Sequence, residues 1–214
     1  MFEAISIYLN YDRVKYIKPE KAGERAADMI ALKVLGQQAR QEMIAFCQQL
    51  ETQIAPWRMQ SVSNWANQAQ LTRPHFWCYF KMPEDKADDV GIALRLYGDG
   101  KEFGLSLEVS FVERKKSDKT VTKQNRVLAL PIKPPCYYWA QIDGSSHYFE
   151  GIETNRQYLQ TAVLSGEVRK VLVKYDISAI AKMSSSQLIS RVKQGLQELI
   201  PYYEKTKRDE SFGF

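Results

Sequence analysis

The chain has 214 residues, 44% of them hydrophobic and 26% charged, with a net charge of +5. This composition excludes intrinsic disorder, and the length suffices for a continuous core. No run approaches the roughly 18 consecutive apolar residues of a membrane helix, so no membrane partner is expected and a cytoplasmic location is.

The N-terminal stretch Met1–Asn10 lacks the basic and apolar regions of a secretory signal. Weak alternation over Phe2–Leu9 predicts a first strand. Pro19 stands where a helix favours its first residue, and Glu20–Ile54 is rich in Ala, Gln, Glu, Leu and Met. Ala27, Ile30 and Val34 recur at helical steps before Gly36, and Phe46, Leu50 and Ile54 do so after it in a slipped register. One long helix bent near Gly36, or two helices in tandem, follows from that pattern. Pro74–Met82 reads as a short aromatic strand and Val90–Tyr97 as a second. Gly98-Asp99-Gly100 is a turn, and Phe103–Val112 alternates as a half-buried strand does. Val127–Ile132 is expected to form a further strand, cut off by Pro131, Pro134 and Pro135, and Tyr137–Ile142 to continue the sheet. His147 falls in a polar loop. Thr154–Ser165 reads as a helix closed by Gly166, Glu167–Tyr175 as a strand, and Gln187–Tyr203 as an amphipathic helix capped from Ser184–Ser186.

The fold class expected is α+β: an antiparallel meander with a long N-terminal helix or helix pair and a C-terminal amphipathic helix. A single domain over residues 1–204 and a charged, flexible tail over 205–214 complete the expectation.

Chemistry is narrowed mainly by absences. There is no GxxxxGK[ST] loop, no GxGxxG after a strand and no GxSxG elbow. The three cysteines, Cys47, Cys78 and Cys136, have no Cys or His partner at zinc spacing and read as buried thiols. No cofactor is expected on these grounds.

Two constellations remain. From Arg114 to Arg126 the chain carries six basic residues against Asp118, which accounts for the whole net charge. Lys115, Lys116, Lys119, Lys123 and Arg126 are therefore candidate phosphate contacts on a flexible arm. Trp57, Trp65 and Trp77 lie close together in sequence, with Arg58, Arg73 and His75 between them, and are candidate stacking platforms for bases. Tyr137-Tyr138-Trp139 follows soon after the basic segment. DNA or RNA is the partner this pattern suggests. The alternative is catalytic: Glu113-Arg114-Lys115 after an apolar strand resembles the PD-(D/E)xK nuclease pattern. On that reading Asp99 and Glu113 hold Mg²⁺, with Glu108 a further acid, and Lys115 assists water or the phosphate. A third reading is an aromatic-lined pocket for a small polar ligand.

A resemblance points toward the first reading. Val171–Asp176, Ser184–Ile189 and Leu196–Tyr203, with Gly104-Leu105-Ser106-Leu107 upstream, cover about a third of the chain. Together they resemble the MrcB-like N-terminal DNA-binding domain of McrB-type restriction proteins. The resemblance implies DNA binding without catalysis in the domain itself.

Overall fold

In Ile92–Leu96 and again in Phe103–Val109 every second residue is a large apolar one, and the phase of that alternation decides which face of the sheet meets the core. The computed structural model describes residues 1–73 and 75–207. Its strands are β1 (Arg58–Met59), β2 (Trp77–Lys81), β3 (Gly91–Gly98), β4 (Phe103–Ser110), β5 (Tyr137–Ile142), β6 (Ser145–Phe149) and β7 (Val168–Ile177). They pair antiparallel in the order β1-β2-β3-β4-β7-β5-β6. Strand β7, the last in sequence, thus enters between β4 and β5.

Among the described residues five α-helices accompany the sheet: α1 (Glu3–Tyr8), α2 (Ala26–Glu51), α3 (Thr120–Asn125), α4 (Glu153–Ser165) and α5 (Ser185–Lys207). Cys78 and Phe80 of β2, Leu94 of β3, Leu107 of β4 and Val173 of β7 point to one face. There they join Met43 and Phe46 of α2, Leu159 of α4 and Leu196 of α5 in one hydrophobic cluster. Each large apolar side chain so buried is worth about 1.5–3 kcal/mol relative to exposure. The alternate residues of the same strands, among them Trp77, Arg95, Glu108 and Lys174, face the other way and line a groove.

The long N-terminal helix and the C-terminal one are both present, and the class is α+β. Several elements differ from expectation. Within the expected strand Phe2–Leu9, residues Glu3–Tyr8 are helical, because the buried Phe2, Ile5 and Tyr8 are spaced by three, not two. Residues Ala26–Glu51 form one continuous helix through Gly36. The glycine is there for proximity: a Cβ on Gly36 would sit 2.7 Å from the Trp65 ring. Arg126–Ala129 is a 3-10 turn in place of a strand. The expected loop around His147 is strand β6, joined to β5 through Asp143 (φ 48°) and Gly144 (φ 78°). Two successive left-handed residues are what a tight hairpin of this kind requires.

At the C-terminal end, Ser184 Oγ accepts from Gln187 N at 3.2 Å while Gln187 Oε1 accepts from Ser184 N at 2.9 Å. This reciprocal cap opens α5, which continues through Lys207. The rest of the expected tail, residues 208–214, lies outside the described residues.

Candidate functional site

The uncovered face of the sheet is the floor of a groove of about 2060 Å³. Its middle is strand β4, whose even-numbered residues Ser106, Glu108 and Ser110 turn away from the core yet are buried. Glu108 stands opposite Ala93 on β3 and Lys174 on β7, and Lys174 in turn stands opposite Tyr137 on β5. Two residues further along, Arg95 of β3 faces Trp77 of β2 and Ser106 of β4. Opposed side chains in an antiparallel pair interact directly. The small Ala93 leaves space through which Arg95 reaches Glu108.

These charges form a bound set. Arg95 Nε lies 3.1 Å from both carboxylate oxygens of Glu108, and Lys174 Nζ lies 3.1 Å from Oε1. A carboxylate only 2% exposed would cost several kcal/mol if left alone. Burial pushes the Glu108 carboxyl up, but Arg95 and Lys174 outweigh it and hold the group below its ordinary pKa. Glu108 is therefore ionised and serves to fix two cations on the floor.

Each cation is flanked by an aromatic ring. The guanidinium carbons of Arg73 and Arg95 are 4.5 and 5.2 Å from the Trp77 ring centre. Lys174 Nζ is 4.8 Å from the Trp139 ring and 5.7 Å from that of Tyr137. Such contacts contribute about 0.5–2 kcal/mol each, depending on desolvation. Tyr137 also stacks with Tyr148 of β6 at 5.0 Å and donates its hydroxyl to Asp176 Oδ2 at 3.0 Å. Burial, and then the Asp176 carboxylate, raise the Tyr137 pKa, so the phenol stays protonated.

The walls come from the segment before β2 and from the end of β4. Arg40 of α2 ties down the former by donating to the carbonyls of Val62 and Ser63 at 3.0 and 3.1 Å. Tyr8 anchors the same segment, donating to Trp65 O and accepting from Arg73 N. His75 stands beside Trp77, and its pKa is pushed down to about 4, by burial first and by the cations Arg95, Lys174 and Arg73 against the opposing Glu108. It is neutral at neutral pH. At the end of β4, Glu113 accepts from Arg169 at 2.9 and 3.0 Å, from Lys116 at 3.2 Å and from Lys170. The Arg169 hydrogen bonds, with those of Lys170 and Lys116, hold its carboxyl well below the usual carboxylate range. Six cationic side chains line the groove (Arg40, Arg73, Arg95, Arg114, Lys170 and Lys174) against the carboxylates Glu108, Glu113 and Asp176. The excess is positive.

The residues singled out from sequence are dispersed. Trp77 lies on the groove floor. Trp65 lines the wall, half-buried, its ring covering Gly36 and meeting Tyr16 at 5.2 Å. Trp57 is 5% exposed in the core, with its ring 4.7 Å from that of Tyr203. It has no open face for a base.

The basic segment is not a flexible arm. Lys115 falls in a 3-10 turn and Lys119 just before α3, both exposed. Lys116 pairs with Glu113 at 3.2 Å and Lys123 with Asp89 at 2.6 Å, and Arg126 reaches the carbonyl of Thr206 in α5 at 3.5 Å. Helix α3 is anchored by Gln124 Nε2, which donates to Val109 O and Val171 O, and by Asn125, which bonds Val171 N and Arg169 O.

The metal pair Asp99 and Glu113 is not brought together. Asp99 sits in the β3–β4 turn, where its Oδ1 accepts from the backbone of Lys101 and Glu102 at 2.8 and 3.1 Å. Glu113 follows the opposite end of β4, roughly 30 Å away along the strand by its rise per residue. Among the described residues no three His, Cys, Asp or Glu side chains are gathered as a metal site needs. No helix among them is long and apolar enough to cross a membrane.

Among the groove residues that sequence reasoning passes over as site candidates are Arg95, Lys170 and Lys174. A signal for two of them exists: Arg95 and Lys174 interrupt apolar strands at a residue facing away from the core, as Glu108 does. Charges so placed need one another. No protein-family model matches the chain, and no curated protein matches its sequence.

Proposed function

We propose that this protein is a nucleic-acid-binding module, and that it takes a single strand along the open face of its sheet. The observation that carries the reading is the pairing of cations with aromatic rings on that face: Arg73 and Arg95 at Trp77, Lys174 at Trp139. Bases stack on aromatic and guanidinium planes for about 1–3 kcal/mol each, while neighbouring Lys and Arg groups meet the phosphates. The rings lie at the bottom of a groove, within reach of splayed bases. A duplex keeps its base faces stacked inside and cannot present them.

Size supports the same reading. At about 2060 Å³ the groove exceeds ordinary small-molecule pockets, which span roughly 300–1,000 Å³. The resemblance of the C-terminal segments to MrcB-like DNA-binding domains points to the same class of partner. Strands β4 and β7, which carry part of that resemblance, supply Glu108 and Lys174.

The test is fluorescence anisotropy of labelled single- and double-stranded DNA and RNA at two salt concentrations. Single strands are expected to bind at least about tenfold more tightly than duplexes, with affinity falling steeply as salt rises. Absence of binding at low salt, or a preference for duplex, overturns the reading.

A further inference from the structure

At the rim of the groove stands a cation whose placement the floor does not explain. Arg73 lies four residues before the start of β2, its guanidinium against Trp77 and its Nε buried without a hydrogen-bond partner among the described residues. The ring contact satisfies no N–H donor, and Arg73 forms no ion pair among those residues. Arg114, which also lines the groove, is near enough that its charge disfavours that of Arg73. Arg95 contacts the same indole from the sheet side. Glu108, which answers Arg95, makes its contacts to Arg95 and Lys174. The guanidinium groups of Arg73 and Arg114 line one opening, and among the described residues neither has an anion to answer it. The planar fork of Arg matches the oxygens of a phosphate.

We propose that Arg73 and Arg114 form a phosphate-binding subsite at the rim of the groove, with Trp77 holding the Arg73 guanidinium in place. This rests on the nucleic-acid reading and sharpens it: one phosphate of the bound strand is gripped here, beside the ring on which its base stacks. The site has a built-in reporter. His75 faces Arg73 from its own segment, Arg95 from β3, Glu108 from β4 and Lys174 from β7. His147, the other histidine of the chain, is exposed on β6 and serves as an internal control.

The experiment is an NMR pH titration of both histidines with and without inorganic phosphate, at constant ionic strength, in the wild-type chain, Arg73→Gln and Arg114→Gln. Phosphate is expected to raise the His75 pKa by about one unit, as a nearby anion does, and to leave His147 unchanged. Each substitution is expected to weaken the phosphate response about tenfold, the worth of one charge-assisted hydrogen bond. Arg114 is exposed, so Arg114→Gln tests the site even if Arg73→Gln disturbs the fold. No response of His75, or an unchanged response in Arg114→Gln, overturns the subsite. Oligonucleotide binding without a phosphate response overturns the subsite alone and leaves the groove reading intact. A phosphate response without oligonucleotide binding upholds the subsite and overturns the groove reading in favour of a small phosphorylated ligand.

Discussion

The segment Arg114–Arg126 and the open face of the sheet both concentrate positive charge, and they do so in opposite ways. In the segment the charges are neighbours in sequence, and the fold spends several of them: Lys116 on Glu113, Lys123 on Asp89, Arg126 on the last turn of α5. On the open face, Arg95 comes from β3 and Lys170 and Lys174 from β7, with β4 between them, while Arg73 comes from the segment before β2. There each is held against a ring or a carboxylate that also faces the groove. A run of like charge is thus a poor guide to a binding surface. What matters is whether the folded chain supplies the counter-charges: three of the segment's six cations are answered, whereas Arg73 and Arg114 at the rim of the groove have no ion pair among the described residues. Arg114 belongs to both regions.

The largest expected effect lies at the groove floor. Glu108→Gln leaves Arg95 and Lys174 buried without their carboxylate, which is expected to cost about 3–5 kcal/mol in urea unfolding. A loss below about 1 kcal/mol would mean that water reaches these cations freely. The pH dependence follows with its sign fixed. Glu108 has a depressed pKa, so its contribution is present above the unfolded carboxyl's pKa and is lost as pH falls through the folded one. His75 adds a second acid-side loss. The unfolded chain takes up its proton near 6.5 and the folded chain only at about 4, so stability declines across that window by about 3 kcal/mol in all. Unfolding midpoints of His75→Gln between pH 7 and pH 4 should fall less steeply than those of the wild type. Equal slopes would show that His75 is solvated.

The smallest effect is expected in the segment. Lys123→Gln breaks a partly exposed pair with Asp89 and should cost about 0.2–1 kcal/mol. A loss comparable to that of Glu108→Gln would remove the distinction between the two regions.

Much of the architecture is legible in the residues. The β2–β4 meander follows from period-two alternation and the Gly98–Gly100 turn, and α5 from its capped, three-to-four spaced apolar face. Helix α1 is not, because six residues are too few for the two periods to separate clearly. Strand β6 had a usable signal in Asp143-Gly144, the favoured pair for a two-residue hairpin. The groove itself is out of reach of local pattern. Lys174 and Trp139 become neighbours of Glu108 only because β7 inserts between β4 and β5, a pairing set by burial over the whole sheet. Trp57 and Trp77 look alike in sequence, and their fates diverge for the same reason: one faces α5 in the core, the other faces the open side.

The most direct test sets the two regions against each other on one labelled single-stranded oligonucleotide. Trp77→Ala/Trp139→Ala removes the two rings that hold the floor cations, and Lys115→Gln/Lys116→Gln/Lys119→Gln removes charge from the segment. With each stacked base worth about 1–3 kcal/mol, the aromatic double variant is expected to lose at least about tenfold in affinity, and the lysine triple variant only a few-fold. If the lysine variant loses binding while the aromatic variant keeps it, the interface is the segment and not the face of the sheet.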